Sequence, residues 1–188
     1  CWGIQIAVYA AGGGVAPNPK GREMGIGRKM RLTEAGIAHP MFKGKPAVYS
    51  HFVSHDDEVT ELGEGMTLLA GNDFSRVQAV EVKRGNGAFW GIQYHPEYDL
   101  HEMARLIVAR EGKLVGQGLF LDHDDLVRYV DRLETLAADP GRKDLRWQLG
   151  IDDDILSDQI RQCEFINWLE DQVGAAIVVV VYLVDPAL

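Results

Sequence analysis

Gly91-Ile92-Gln93-Tyr94-His95-Pro96-Glu97 runs from a strand into a stiff turn, and the reading of the rest of the chain works outward from it. Side chains alternate along an extended chain, so residues 95 and 97 point to one side. Pro96 fixes its own φ and drives His95 towards extended angles, which makes that arrangement rigid. A carboxylate two residues after a histidine can hold one ring nitrogen and leave the other free as a base. That is the base-and-orienter half of a nucleophilic triad. A surface His-Pro turn beside an unrelated glutamate has the same letters, so this stretch alone leaves both readings open.

The segments before it read as short strands at 67–70, 77–82 and 88–94, split by Gly, Asn and Asp turns. Arg84-Gly85-Asn86-Gly87 is the clearest hairpin turn. Further extended segments are expected at 24–32 and 47–53. Residues 2–11 read as a helix, with Ile4, Ala7, Val8 and Ala11 at helical spacing, and Gly12-Gly13-Gly14 ends it. After Glu97 the texture changes. Residues 99–110 and 124–138 read as amphipathic helices, 139–143 as a linker, and 152–173 as a third helix whose acidic start suits its dipole. The β-branched run at 177–181 reads as a strand buried on both faces. The pattern is mixed α/β, with strands in the first half and helices in the second.

The 188 residues carry 19 Lys+Arg against 28 Asp+Glu, a net charge of −9, which argues against broad nucleic-acid backbone binding. The longest apolar run, 175–184, is too short to cross a bilayer, so no membrane association is expected. Cys1 and Cys163 offer no disulfide framework and no signal peptide opens the chain, so the cytoplasm is the expected compartment.

Cys1-Trp2-Gly3-Ile4-Gln5 opens the first helix. A thiol at a helix N-terminus feels the positive end of the dipole, which favours thiolate. Backbone N–H groups of the first turn are free to receive a developing oxyanion.

With these two segments together, the chain resembles the class I, triad-type glutamine amidotransferases. The motifs that carry the resemblance are Cys-x-Gly-x-Gln and Gly-x-Gln-x-His-Pro-Glu. It is most similar to the glutaminase domain of GMP synthetases and stand-alone relatives, over roughly residues 1–120. The resemblance implies a doubly wound, flavodoxin-like α/β sheet, of which residues 1–120 are the C-terminal portion. Residues 121–188 would then form a helical extension with a terminal β-like segment. It implies Cys1 as nucleophile, His95 as acid/base and Glu97 as orienter. Trp2 would offer its backbone N–H to the oxyanion, and Gln5 would contact the substrate. Ser54-His55-Asp56-Asp57-Glu58-Val59 resembles the family's His-Gly-Asp-x-Val loop, which implies Ser54, His55 and Asp57 around the glutamine pocket, with Asp56 standing where glycine is usual. Val77-Gln78-Ala79 and Arg22-Glu23-Met24-Gly25 also resemble family segments. The implied reaction converts L-glutamine to glutamate and ammonia through a cysteinyl thioester. An ammonia-accepting synthetase domain or subunit is an implied partner, and a homodimer is compatible with the pattern.

The family's nucleophile sits on a strand-to-helix elbow, and that strand would precede Cys1. The sequence therefore reads as a piece of a protein about 70 to 100 residues longer, because a doubly wound sheet needs several more βα units. The alternative is a true N-terminal nucleophile whose own α-amino group acts as base. Two further functional alternatives stand: a γ-glutamyl amide or peptide hydrolase of the same superfamily, and a non-catalytic binding relative. No metal or cofactor is expected, because His51 and His55 on one strand face would lie ~13 Å apart. His39, His101 and His123 are expected on the surface. Cys163, Trp147 and Trp168 are expected to serve packing.

Overall fold

The computed structural model describes residues 1–174. The expected strand at 177–181 lies outside them. In chain order the elements are α1 (Trp2–Ala10), β1 (Gly14–Pro17), β2 (Glu23–Leu32), α2 (Glu34–Ala38), β3 (Val48–His55), β4 (Asp57–Glu61), β5 (Met66–Gly71), β6 (Ala79–Arg84) and β7 (Gly87–Ile92). The helical half follows as α3 (Leu100–Ala109), α4 (Glu111–Gly116), α5 (His123–Ala138), α6 (Lys143–Leu149), α7 (Asp153–Leu156), α8 (Asp158–Arg161) and α9 (Cys163–Trp168), with a π-helical turn at Leu169–Val173.

The α/β class expected from the sequence is observed. Five strands form one sheet in the order β3-β2-β5-β6-β7, and β1 pairs with β4 in a separate ribbon. Every strand pair among the described residues is antiparallel, whereas a doubly wound sheet is built on parallel strands. A two-residue turn can join only antiparallel neighbours, which accounts for the β6–β7 pair. The turn expected at 84–87 is such a case: Arg84 pairs with Gly87, and Gly85 takes a φ of 58°.

The sheet curls so far that the chain leaving β7 meets the free edge of β3, where the His95 N–H donates to the Phe52 carbonyl at 2.9 Å. Inside the curl lie Met30, Met41, Phe42, Tyr49, Val53, Leu69, Ala70, Ala79 and Tyr94. On the other face, Ile4 and Val8 of α1 pack on Val59, Val77, Val80 and Val82. The third cluster joins Phe52 to Met103, Ile107, Leu126, Leu133, Leu136 and Ile155, and so roots the helical half on β3.

Gly91 lets α1 lie close to β7: a Cβ there would sit 3.0 Å from Ile4 Cγ1 and 3.1 Å from Ile4 Cβ. Gly91→Ala therefore pushes on the helix that carries Cys1. The expected loss is about 1–3 kcal/mol, measured by urea unfolding, the usual cost of overpacking a filled site; an unchanged midpoint would mean that α1 does not press on β7 at this point.

One expectation about helices is corrected. Residues 152–173 do not form one helix, because Ser157 is extended (φ −84°, ψ 115°) and splits α7 from α8, and Gln162 (φ −98°, ψ 10°) precedes α9. These breaks let Asp154 accept from the Ser50 N–H at 2.6 Å and Arg161 from α8 donate to the Ile155 carbonyl at 2.7 Å, bonds that a straight rod would not reach. The expected linker does separate α5 from α6, overlapping the latter only at Lys143, and α6 ends on Gly150 in the left-handed conformation (φ 59°). Arg28 on β2 donates to the Leu149 and Gly150 carbonyls, satisfying groups that the helix end leaves open.

Beneath α8 and α9 lies a fully buried ion pair. Lys45 Nζ is 2.9 Å from Glu164 Oε1, with both side chains withdrawn from solvent, and it also donates to the Ile160 carbonyl at 2.9 Å. Lys45→Ala leaves the Glu164 carboxylate buried without its cation, at an expected cost of about 3–5 kcal/mol. Calorimetry measures it, and a loss below about 1 kcal/mol, the worth of a surface pair, would show that the pair is not sealed from water.

Candidate active site

Cys1 is the N-cap residue of α1, and its side chain caps nothing in that helix. The first-turn N–H groups that follow, beginning with that of Trp2, have no intrahelical acceptors, so the thiol sits at a cluster of aligned donors. Its Sγ lies 3.9 Å from the Ser54 carbonyl on β3. The carbonyls of residues 52 and 54 point to the same edge of that strand. One meets the His95 backbone and the other meets the Cys1 thiol. The free edge of β3 is thus the bar on which residues 1 and 95 are gathered, though 94 positions separate them in sequence.

His95 Nδ1 lies 2.7 Å from Glu97 Oε1. Burial pushes the Glu97 carboxyl up, but the hydrogen bond from His95, its own backbone N–H and the charges of His95 and the Cys1 amino group outweigh that and leave it below its ordinary value. An ionised carboxylate accepts from Nδ1–H, which fixes the tautomer and leaves a bare lone pair on Nε2. That nitrogen is buried and has no hydrogen-bond partner among the described residues. Tyr98 stacks flat on the imidazole, with centroids 4.3 Å apart and planes 3° apart, so the ring can neither tip nor flip freely. Sequence reasoning missed Tyr98; its signal is an aromatic three residues after the histidine, in the turn its N–H closes onto the His95 carbonyl at 3.3 Å.

The remaining expected site residues fall into two groups. Trp2, the first residue of α1, is largely exposed. Ser54 accepts from Arg22 Nη2 at 2.9 Å through its hydroxyl, while its carbonyl faces Cys1. Gln5, by contrast, is buried and donates to the Asp57 carbonyl at 3.1 Å. His55 is buried with both ring nitrogens engaged, Nδ1 at 3.0 Å from the Asp57 carbonyl and Nε2 at 2.9 Å from Glu23 Oε2. Gln5 and His55 together pin the carbonyl of Asp57, so these side chains shape the loop. Glu23 is the unforeseen centre of this arrangement, since it also accepts from Gln78 at 2.8 Å and Asn72 at 2.7 Å. Asp56, at the usual glycine position, is tied to Arg22 and Lys113. Gln93, beside the histidine turn, is fully buried, with neither side-chain polar atom partnered among the described residues.

Of the other histidines, His101 and His123 are exposed as expected. His39 is not: its imidazole meets Trp90 edge-on at 4.8 Å and lies 3.4 Å from Glu81. His51 stands inside the fold, and burial followed by the charge of Lys45 holds it well below its ordinary value, hence neutral. Among the described residues there is no group of three or more His, Cys, Asp or Glu able to hold a metal, and no helix is long and apolar enough to cross a membrane.

In outline this is a thiol, an imidazole and a carboxylate gathered at the edge of an α/β scaffold. The model of the class-I glutamine amidotransferase family matches residues 1–113, and the chain belongs to that family. A γ-glutamyl-L-1-hydroxyisopropylamide hydrolase from a Pseudomonas species is 34% identical over 175 residues, covering 90% of this chain and 58% of that protein. A glutamine-hydrolysing GMP synthase from Thermosipho africanus is 33% identical over 97 residues, 52% of this chain and 17% of that protein. This chain thus spans less than two thirds of either relative. Among solved structures, a glutamine amidotransferase from Thermotoga maritima shares the fold with a TM-score of 0.52 at 22% identity, over 73% of this chain and 56% of that one. One from Methylobacillus flagellatus reaches 0.59 at 16% identity, over 90% of this chain and 60% of that one.

Proposed function

We propose that the chain hydrolyses a γ-glutamyl amide bond, with the side-chain amide of L-glutamine as the substrate. The observation that carries the reading is the imidazole of His95, held by Glu97 at 2.7 Å through one nitrogen and left with a bare, buried second nitrogen, on the same strand edge that Cys1 contacts. In this reading Nε2 takes the thiol proton and Cys1 Sγ attacks the amide carbon. The Trp2 N–H and its neighbours in the first turn receive the developing oxyanion. Collapse breaks the C–N bond, and His95 returns the proton to the departing nitrogen, which leaves as ammonia. Water, deprotonated by the same nitrogen, then attacks the thioester carbon, releasing glutamate and regenerating the thiol. Ammonia released in this way suits an accepting synthetase domain or subunit, as the names of the GMP synthase relatives suggest.

The test is incubation with a glutamine-analogue affinity label, followed by peptide mass analysis. An adduct on Cys1 is the expected result; a folded protein that hydrolyses glutamine yet carries no adduct there would sink the assignment of the nucleophile.

One observation favours a second reading. The match to the Pseudomonas hydrolase runs over 175 residues and so continues past residue 113, into the helical half. In this reading the same chemistry expels an alkylamine in place of ammonia. Relative kcat/KM for glutamine and a γ-glutamyl alkylamide separates the two: preference for the alkylamide by tenfold or more, about 1.4 kcal/mol, would select the second.

A further inference from the structure

The helical extension grips the two residues that precede the catalytic histidine and its strand anchor. Tyr94 donates its hydroxyl proton to Glu164 Oε1 on α9 at 2.6 Å. His51 stacks on Tyr94 with centroids 4.4 Å apart, and its Nε2 meets the Arg161 carbonyl of α8 at 2.9 Å. His51 Nδ1 accepts from the Phe52 N–H at 3.0 Å, so Nε2 carries the proton and donates it to that carbonyl. One residue further along each chain, the His95 N–H donates to the Phe52 carbonyl at 2.9 Å. Residues 51 and 94 are therefore clamped to each other and to the extension, and residues 52 and 95 are clamped to each other directly behind them. Pro96 and Glu164 also line one apolar cleft of about 500 Å³, so α9 borders the turn itself. Glu164 lies outside the residues that match the family model.

We propose that Glu164, acting through the Tyr94 hydroxyl, is a positioning residue for His95, so that the extension sets whether the imidazole reaches the Cys1 thiol. This rests on the reading of His95 as the base for Cys1, though not on the identity of the amide substrate. A shift of a fraction of an ångström in a proton-transfer partner is costly in rate, whereas the same shift costs little in folding.

The experiment uses the intact protein and follows alkylation of Cys1 by iodoacetamide against pH, which needs no substrate, alongside kcat and KM for glutamine. Tyr94→Phe keeps the ring on His51 and leaves the Lys45–Glu164 pair intact. Cys1 alkylation at neutral pH is expected to slow about tenfold, its titration to move upward, and kcat to fall with KM nearly unchanged. Glu164→Gln retains an acceptor for Tyr94 and should hold the alkylation profile near wild type despite lower stability, whereas Glu164→Leu should lose it. Leu133→Ala, a core truncation in α5, is the comparison, with lower stability and an unaltered profile. Tyr94→Phe alkylated at the wild-type rate would overturn the proposal, with the amidase reading left standing if glutamine is still turned over. Slowed alkylation in a protein that hydrolyses neither glutamine nor a γ-glutamyl alkylamide would uphold the positioning role and remove the substrate reading. A wild-type Cys1 no more reactive than an ordinary free thiol would overturn both.

Discussion

Cys1→Ser is expected to lower glutamine hydrolysis by roughly 10⁴-fold or more, while Cys163→Ser stays within about twofold of wild type. Two environments make the difference. Cys1 sits at the start of α1, facing the Ser54 carbonyl, where the helix dipole favours the thiolate. Cys163 is buried against Glu164, and burial together with that carboxylate pushes its thiol up to about 12, so it stays protonated at neutral pH. Iodoacetamide should therefore mark Cys1 and spare Cys163, as peptide mass spectrometry will show. Serine at position 1 keeps the shape but loses the nucleophile, since a hydroxyl ionises far less readily than a thiol. Equal losses in the two variants would mean that the chemistry does not run through Cys1.

His95→Ala and Glu97→Ala form a graded pair. Removing the imidazole takes away the proton shuttle for both halves of the reaction, with an expected fall in kcat of about 10³–10⁴-fold. Removing the carboxylate leaves the base in place but releases its Nδ1 proton from the 2.7 Å bond, so the wrong tautomer becomes populated. The loss for Glu97→Ala should be smaller, about 10²-fold, because Tyr98 still stacks on the ring and the Phe52 carbonyl still holds its backbone. Steady-state kinetics on both variants decides it: indistinguishable rates for wild type and His95→Ala would end the triad reading, and a larger loss for Glu97 than for His95 would reverse the roles.

Much of the local structure was legible because it depends on short windows. The helix at 2–10 follows from apolar spacing, and the hairpin at 84–87 from glycine beside asparagine. The pairing of residues 95 and 97 was legible from their spacing, although a turn closed by the Tyr98 N–H on the His95 carbonyl brings them together, and not the strand period expected. The break of 152–173 into pieces was not legible. Its acidic start and apolar spacing favour one helix, and what overrides them is burial of Arg161, Glu164 and Asn167 under the chain at 41–55. There each polar group needs a partner that a straight helix cannot reach, as Asn167 shows by donating to the Met41 and Lys43 carbonyls at 2.9 Å. His39 was misplaced for a related reason: no local pattern announces that Trp90, 51 residues away, closes over it.

The sequence by itself determined which side chains could do chemistry and how each sits in its own turn: the thiol at a helix start, and the imidazole two residues from its carboxylate. Only the tertiary structure decided that both hang from one strand edge. The curl of an antiparallel sheet carries residue 95 to the free edge of β3, and Gly91 brings α1 close enough for Cys1 to reach the same edge. Backbone period and turn chemistry act over a few residues, so they can be read from letters. The curl and the docked extension arise from filling the interior and pairing most buried polar groups at once, and those demands have no short-range signature.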